Sequence, residues 1–221
     1  MNSSEKINAL LGMFDRPTRY LEIGVQSGIT FDSVNSDHKT AVDPLFLFDA
    51  VDDASKTYHQ EPSDVFFGLH RQGPFDVVFL DGLHNFEQTL RDFINATSFL
   101  ANDGYILIDD VRPSSLPASL RDLDHANLLR KALNKKSGHW MGDVYRVVYF
   151  IDSFFQQFKF QLVDHDHCQA VVWREQRGFV PERRVKAISN VSYRNVVKDF
   201  GELFSVIEFE EWFESVRPYR R

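Results

Sequence analysis

Three aspartates and a histidine are the residues of this sequence best placed to do chemistry. Asp81 follows one strand-sized apolar run, and Asp109 and Asp110 follow the next such run. Three uncompensated carboxylates at one edge of a sheet would repel one another, and hard divalent cations such as Mg²⁺ prefer carboxylate and water oxygens. His84 lies shortly after Asp81, and the ordinary pKa of imidazole allows it to accept a proton at neutral pH. The spacing therefore favours a divalent-cation site with a proton acceptor beside it.

Each of these residues also has a purely structural interpretation. An aspartate at the carboxyl end of a parallel strand often caps a helix or forms a turn. Adjacent residues of an extended strand point to opposite faces, so Asp109 and Asp110 can share one ion only if the strand has already ended. Otherwise one of them caps the next element. A lone histidine is more often a hydrogen-bonded surface residue than a base, and it is the position of His84 beside Asp81 that favours the chemical role.

A glycine turn and a later acid form a second group of candidates. Glu22 stands near the end of the first apolar run, and Gly24 and Gly28 follow it. Glycines allow a ligand to approach the backbone closely at the N-terminus of the next helix. Asp43 ends the next apolar run, where an acidic side chain can accept hydrogen bonds from both hydroxyls of a ribose. Such turns are common in α/β proteins, so the pair is stronger evidence for a nucleotide-like ligand than either part.

The elements that position these residues are short apolar runs that alternate with amphipathic stretches. The runs cover residues 20–23, 40–43, 76–80 and 105–109. Runs this short, rich in β-branched and aromatic residues, predict buried parallel strands. Apolar residues recur at helical spacing over residues 86–97, and residues 102–104 are expected to end that helix. Repeated βαβ units give a doubly wound, mostly parallel α/β sheet of the Rossmann-like class, which binds ligands at the carboxyl ends of its strands.

Two later runs complete the sheet. Residues 158–163 and 170–173 flank a polar turn that is too short for a parallel crossover, so they predict an antiparallel hairpin. The turn itself, residues 164–168, contains metal-binding residue types, but polar residues are expected on a hairpin turn. We expect one domain over residues 1–177. Residues 178–221 carry two more helical patterns and no flexible linker, which indicates a helical appendage packed on the same domain.

The glycine turn resembles the first motif of the class I S-adenosylmethionine-dependent methyltransferases, Glu/Asp-x-Gly-x-Gly-x-Gly, which is followed by an acid that closes the second strand. Glu22, Gly24, Gly28 and Asp43 match this pattern, and Gln26 takes the position of the middle glycine. A nicotinamide-binding domain would require Gly-x-Gly-x-x-Gly, which this turn lacks. The antiparallel last strand is also a feature of the methyltransferase sheet, so the resemblance implies that fold and that cofactor.

The acids at the strand ends resemble those of the metal-dependent O-methyltransferases of the catechol and macrocin types, particularly the branch with an Asp-x-x-His signature after the fourth strand. This resemblance implies that Asp81, Asp109 and Asp110 bind Mg²⁺ or a similar cation and that His84 is the general base. It also implies methyl transfer from S-adenosylmethionine to a hydroxyl of a small molecule, such as a sugar diol or a catechol-like acceptor. The similarity extends over about residues 20–173.

Two weaker features belong to the same resemblance. Residues 139–145 are similar to a Trp-x-Gly-Asp-Val-aromatic stretch of the macrocin-like branch. Ser63 and Asp64 follow a weaker third strand near residues 56–59 and could bind the adenine edge of the cofactor, although capping the next helix is the simpler role. The predicted cofactor site consists of Glu22, Gly24, Gly28, Asp43, Ser63, Asp64 and Asp81.

Composition and charge narrow the classes of partner. The formal net charge of -7 and the pI near 5.6 disfavour a protein that binds the phosphate backbone of nucleic acids. No apolar run approaches the roughly 20 residues that span a bilayer. One cysteine cannot form an internal disulfide and no secretory signal is visible, so we expect a cytoplasmic protein without a membrane partner. Aromatic residues at positions 200, 204, 209, 212 and 213 could bury a homo-oligomer contact as readily as an intramolecular one.

Other functions remain open on the sequence alone. A noncatalytic cofactor-binding scaffold with the same fold would bind the cofactor without transferring its methyl group. An NAD-dependent oxidoreductase would bind a nicotinamide cofactor instead. A metal-independent methyltransferase would keep the cofactor site and need no cation.

Overall fold

Parallel strands form the centre of the structure, and a computed structural model describes residues 1–70, 72–135, 138–164, 168–178 and 188–216. The strands of these ranges are β1 (Arg19–Ile23), β2 (His38–Val42), β3 (Lys56–His59), β4 (Phe75–Leu80), β5 (Leu100–Ile108), β6 (Phe158–Asp164), β7 (Gln169–Arg174) and β8 (Val206–Glu208). They form one sheet in the order β3-β2-β1-β4-β5-β7-β6-β8. The first five strands pair in parallel, and β7 is antiparallel to both β5 and β6. The predicted fold class and the C-terminal hairpin are confirmed.

Helices cover both faces of this sheet. The α-helices of the described ranges are α1 (Ser3–Leu11), α2 (Ile29–Ser33), α3 (Ser63–Leu69), α4 (Phe86–Phe99), α5 (Leu123–Ala132), α6 (Arg146–Phe154), α7 (Tyr193–Asp199) and α8 (Phe209–Val216). Every residue of β4 is buried, because a parallel strand covered on both faces presents no side to water. Val77 belongs to the core beneath α1, α2 and α8, and Val78 belongs to the core beneath α3, α4 and α6. None of the described helices combines the length and the apolar composition needed to cross a bilayer.

The connection between α4 and β5 differs from the sequence prediction. The helix ends at Phe99, and residues 102–104 lie inside β5 instead of ending the helix. The register between β4 and β5 shifts after the pair Phe75 and Leu100, which is the signature of a bulge. A Cβ at Gly104 would lie 2.9 Å from the carbonyl oxygen of Asp76. Gly104 therefore permits close approach of two strands at the bulge, and the prediction of a helix stop was wrong.

The chain after the hairpin packs on the same sheet. β8 pairs in parallel with β6 at the edge, a strand that the helical patterns of the sequence did not predict. Trp212 of α8 is 3% exposed and packs on Trp173 with ring centroids 5.4 Å apart. Cys168, at the end of the hairpin turn, is buried, while residues 165–167 of the predicted polar turn lie outside the described residues, as do residues 179–187 and 217–221 of the tail.

Candidate active site

A cavity of about 860 Å³ lies at the carboxyl ends of β1, β2, β4 and β5. Its lining contains the following predicted site residues: Glu22, Gly24, Asp43, Ser63, Asp81, His84, Asp109 and Asp110. Two predicted cofactor residues are not part of this lining. Gly28 is the N-cap of α2 and has a left-handed backbone, with φ of 78°, and the carboxylate of Asp64 pairs with Arg91 at 3.2 Å. The cavity therefore joins the predicted cofactor site and the predicted metal site in one space.

The glycine turn after β1 has the close backbone contacts that its composition predicted. Gly24 has φ of 88°, and a Cβ there would lie 2.0 Å from the carbonyl oxygen of Asp81, so no larger residue fits. Gln26, at the position of the middle glycine, also has a left-handed backbone, with φ of 46°. The turn thus keeps a left-handed conformation at this position although the residue is not glycine.

Asp43 organises this turn from the end of β2. Its Oδ2 accepts hydrogen bonds from the backbone N–H groups of Val25 and Gln26, each at 2.8 Å, and its Oδ1 accepts one from Leu45 at 2.8 Å. An ionised carboxylate offers about four acceptor positions, so these three bonds leave capacity for one more donor. The structure assigns Asp43 to the turn itself, and its contact with a ribose stays a prediction.

Glu22 is buried behind the turn. The hydroxyl of Tyr20 donates a hydrogen bond of 2.6 Å to Glu22 Oε2. Burial raises the pKa of Glu22 to about 8, although the hydrogen bond from Tyr20 opposes this shift. The side chain is therefore mostly protonated at neutral pH unless a cation enters the cavity.

Asp81, His84 and Asp110 converge on one spot beside the turn, with one potential ligand atom from each lying within 4.8 Å of the others. His84 Nε2 is 3.6 Å from Asp81 Oδ1, and His84 Nδ1 is 3.3 Å from Asp110 Oδ2. β5 has already ended at Ile108, and Asp110 has a left-handed backbone with φ of 60°. Asp109 lines the cavity outside this group, and its Oδ1 accepts hydrogen bonds from the backbone N–H of Asp110 and from Gln169.

Negative charge is concentrated at this spot. Burial raises the pKa of Asp109, and the carboxylates of Asp81 and Asp110 raise it further. Burial would lower the pKa of His84, but the interaction with Asp81 and the charge of Asp110 outweigh it and raise the pKa to about 9. Without another cation the imidazole is therefore protonated at neutral pH and compensates the surrounding acids.

Trp140 is a site residue that the sequence reasoning did not single out. Its backbone carbonyl lies 2.6 Å from His84 Nδ1, and because a carbonyl only accepts, the proton of the neutral imidazole belongs on Nδ1. Its indole packs on the imidazole with ring centroids 5.3 Å apart and donates a hydrogen bond to the carbonyl of Leu120. A Cβ at Gly142 would lie 1.6 Å from the carbonyl oxygen of His84. The only sequence signal for this contact was the resemblance of residues 139–145.

A buried carboxylate network forms another wall of the cavity. The hydroxyl of Ser63 donates a hydrogen bond of 2.6 Å to Asp92 Oδ1, and the amide of Gln88 donates one of 3.0 Å to the same oxygen. Pro62, not Ser63, occupies the N-cap position of α3, so the capping role considered for Ser63 is wrong. Asp92 and Gln88 lie on the helix predicted from apolar spacing, and that pattern carried no sign of their polar contact with Ser63.

Asp92→Asn will change how stability depends on pH. Burial raises the pKa of Asp92 from 3.8 to about 6, although the hydrogen bonds from Ser63 and Gln88 lower it. A raised carboxyl pKa means that the folded state loses stability as the pH rises from the unfolded to the folded pKa. Asn keeps the acceptor oxygen and cannot ionise. We expect the free energy of unfolding of the variant, relative to that of the wild type, to rise by about 2–3 kcal/mol from about pH 4 to about pH 7. Urea unfolding of both chains at the two pH values measures this change. The same difference between variant and wild type at both pH values would contradict the prediction.

Comparisons with known proteins agree with this architecture. Residues 21–111 match the family described as a methyltransferase domain. The O-methyltransferase from Bacillus cereus in complex with SAH has a TM-score of 0.54 at 11% identity, over 79% of this chain and 82% of that chain. Cofactor-bound Rv0187 from MTB has a TM-score of 0.52 at 14% identity, over 80% and 82%. No curated protein matches the sequence.

A third solved structure shares the fold over half of its own length. It is the MycE methyltransferase of the mycinamycin biosynthetic pathway in complex with Mg, SAH and mycinamycin VI, with a TM-score of 0.51 at 18% identity, over 78% of this chain and 50% of that chain. At such identities a structural likeness carries the fold alone. Together with the methyltransferase domain matched over residues 21–111, it shows that this chain has the fold of the class I methyltransferases.

Proposed function

We propose that the protein transfers a methyl group to a hydroxyl oxygen of a small molecule and uses Mg²⁺ or a similar divalent cation to do so. The observation that carries this proposal is the convergence of Asp81, His84 and Asp110 in the same cavity as the glycine turn. The MycE structure, which contains Mg and SAH, supports it through its fold. An acceptor with two neighbouring oxygens, such as a sugar diol or a catechol, suits a site that holds a chelated cation.

The cofactor fits the part of the cavity beside the glycine turn. The left-handed Gly24 allows close approach to the backbone, and Asp43 retains one acceptor position for a donor such as a ribose hydroxyl. The Ser63 and Asp92 network closes another side of the same space. When bound there, S-adenosylmethionine supplies an electrophilic methyl group on its sulfonium. These residues would then hold it in the same cavity as Asp81 and His84.

The cation fits the oxygens of Asp81 and Asp110. Both carboxylates reach one spot, and a cation there would compensate the negative charge that, after burial, raises the pKa of Asp109 beside them. We assign Asp81 and Asp110 as ligands, while the predicted ligand Asp109 already accepts two hydrogen bonds on one oxygen and contributes its other oxygen or its charge alone. When bound, a divalent cation lowers the pKa of a coordinated hydroxyl and stabilises the oxyanion.

His84 would accept the proton of the substrate hydroxyl on Nε2. The carbonyl of Trp140 keeps a proton on Nδ1, so Nε2 is the nitrogen left to act as a base. The pKa of about 9 applies to the site without a bound cation. Compensation of Asp81 and Asp110 removes the charges that raise this pKa, so the imidazole becomes neutral and able to accept a proton. Alignment of the two reactants in the cavity supplies the remaining acceleration.

The acceptor class can be tested with matched pairs of substrates. A panel of catechols and vicinal-diol sugars is incubated with methyl-labelled S-adenosylmethionine and Mg²⁺, alongside counterparts that lack one of the two hydroxyls. We expect substrates that keep both hydroxyls to give labelled methyl ethers. Their deoxy counterparts are expected to have a kcat/KM at least roughly tenfold lower, because chelation needs both oxygens. Equal rates for the two sets would contradict chelation, and labelling of nitrogen acceptors alone would contradict O-methylation.

A further inference from the structure

A second cluster of metal-ligating side chains lies at the edge of the sheet, away from the acids of the active site. His59 is the last residue of β3, Glu61 lies in the turn that follows, and His70 directly follows α3. The backbone N–H of Glu61 bonds back to the carbonyl of His59 at 3.0 Å, so the chain reverses sharply there. One potential ligand atom from each of the three side chains lies within 4.8 Å of the others. The strand end, the turn and the helix end therefore meet at one point.

The distances match the coordination of a small transition metal. Glu61 Oε1 is 3.4 Å from His59 Nδ1 and 2.8 Å from His70 Nε2. Ligand atoms around a tetrahedral zinc ion, with bonds of about 2.0–2.1 Å, stand roughly 3.3 Å apart. The side chains of His59, Glu61 and His70 are 12%, 21% and 34% exposed, so the group is sheltered and still reachable from solvent. Small movements of His70 would bring all three atoms to bonding distance of one ion.

The chemistry of the donors selects the kind of ion. Two imidazoles with one carboxylate suit Zn²⁺ and its neighbours, whereas Mg²⁺ prefers oxygen ligands only. Glu61 Oε1 is buried and accepts no well-formed hydrogen bond from the residues that the structure describes. Both imidazoles nevertheless present a nitrogen to it. An oxygen left in this state is costly in a folded protein, and a metal ion would satisfy it.

The surroundings hold both imidazoles in place. The ring centroid of His59 lies 5.0 Å from that of Phe66, and the ring of His70 stacks on the ring of Phe66 with centroids 5.5 Å apart. The amide of Gln72 is 2.9 Å from His59 Nε2. Rotated by half a turn, this amide would accept a hydrogen bond from the N–H at Nε2 through its oxygen and leave the lone pair of Nδ1 directed at Glu61. An outer hydrogen bond of this kind commonly orients a histidine that binds metal.

We propose that His59, Glu61 and His70 bind a divalent transition metal ion, with Zn²⁺ as the ion best matched to them. The ion would tie the end of β3 to the end of α3. Pro62 and Ser63 follow Glu61 directly and line the cavity of the active site. The metal would therefore fix the wall that carries the hydrogen bond from Ser63 to Asp92. This site is separate from the cluster of Asp81, His84 and Asp110, and the proposal does not depend on the reaction.

Equilibrium dialysis against zinc chloride in the presence of excess Mg²⁺ tests the proposal. We expect the wild-type chain to bind one more Zn²⁺ than the His70→Gln and Glu61→Gln chains, because neither glutamine supplies the lost ligand. His125→Gln is the matched control, since that histidine is 76% exposed and lies on α5, and it is expected to bind as the wild type does. Gln72→Leu is expected to weaken the affinity by about 10- to 100-fold.

Equal zinc stoichiometry in the wild-type, His70→Gln and Glu61→Gln chains would overturn the proposal. A melting experiment on the wild-type chain provides a second readout that does not depend on how well the variants fold. Zinc that binds only the folded state raises Tm, and we expect this rise to be reproduced in His125→Gln. No rise of Tm in the wild type at zinc concentrations that saturate binding in dialysis would also overturn a site that ties the fold together.

Discussion

His84→Ala lowers kcat by roughly 10²- to 10⁴-fold, the usual contribution of a general base, and leaves the Kd for S-adenosylmethionine within about twofold of the wild type. The reason for the split is spatial. His84 pairs with Asp81 and Asp110, whereas Asp43 organises the glycine turn through hydrogen bonds from its backbone. Single-turnover methyl transfer gives the rate, and calorimetry with S-adenosylmethionine gives the affinity. A variant with the wild-type kcat would remove His84 Nε2 from the reaction.

Asp43→Ala provides the converse control for this experiment. The substitution removes the acceptor of three backbone hydrogen bonds in the turn. We expect the Kd for S-adenosylmethionine to rise at least about tenfold, since hydrogen bonds to a charged acceptor contribute about 1.5–3 kcal/mol each. At saturating cofactor kcat is expected to change far less than in His84→Ala. If both variants lost affinity and rate together, the two halves of the cavity would not act separately.

The strands could be predicted from the sequence because of how they are buried. A parallel strand covered on both faces needs a nearly continuous apolar run, such as residues 76–80, whereas the hairpin strand at residues 158–163 alternates apolar and polar residues. The structure places β4 at Phe75–Leu80 and β6 at Phe158–Asp164, a difference of one residue at one end of each. Once the strands are known, the topology brings their carboxyl ends to one edge. The meeting of Asp81 with the acids after β5 follows from that topology.

The conformation after β5 could not be predicted in the same way. Periodicity left open whether Asp109 and Asp110 share a side of the chain, because the answer depends on where the strand ends. The left-handed backbone of Asp110 turns its side chain toward His84, while Asp109 bonds to the N–H of its own neighbour. The bulge that accommodates Gly104 in β5 is equally local. The backbone conformation of a single residue does not show in the spacing of apolar residues, so it could not be predicted in this way.

Contacts between residues that are distant in the sequence also limited what could be predicted. Trp140 orients His84 through its backbone carbonyl, a group that every residue has and that no pattern of apolar residues reveals. His59, Glu61 and His70 occupy a strand end, a turn and a helix end, and only the length and direction of α3 bring them together. The sequence therefore indicated which residue types could act, and the tertiary structure determined which of them meet.

Removal of divalent metal is expected to reduce methyl transfer by at least about 100-fold, because a cation at a developing oxyanion contributes several kcal/mol. The protein is dialysed exhaustively against EDTA, the chelator is removed, and initial rates are measured with and without added Mg²⁺. Asp110→Asn has nearly the same shape and removes one of the carboxylates that reach the proposed site. We expect this variant to need a far higher concentration of Mg²⁺ than the wild type before methyl transfer is detected. Full activity of the wild type after dialysis would instead indicate a metal-independent methyltransferase.

EDTA would also strip an ion from the cluster of His59, Glu61 and His70, so the ion that restores the rate decides which site is responsible. Mg²⁺ requires oxygen ligands and is poorly suited to two imidazoles, so recovery with Mg²⁺ alone assigns the effect to Asp81 and Asp110. Repeating the restoration in His70→Gln separates the two sites further. If the cation acts at the acids, this variant also recovers with Mg²⁺, because its own active-site carboxylates are unchanged. Recovery that requires Zn²⁺ and is lost in His70→Gln would move the metal dependence from the reaction to the wall of the cavity.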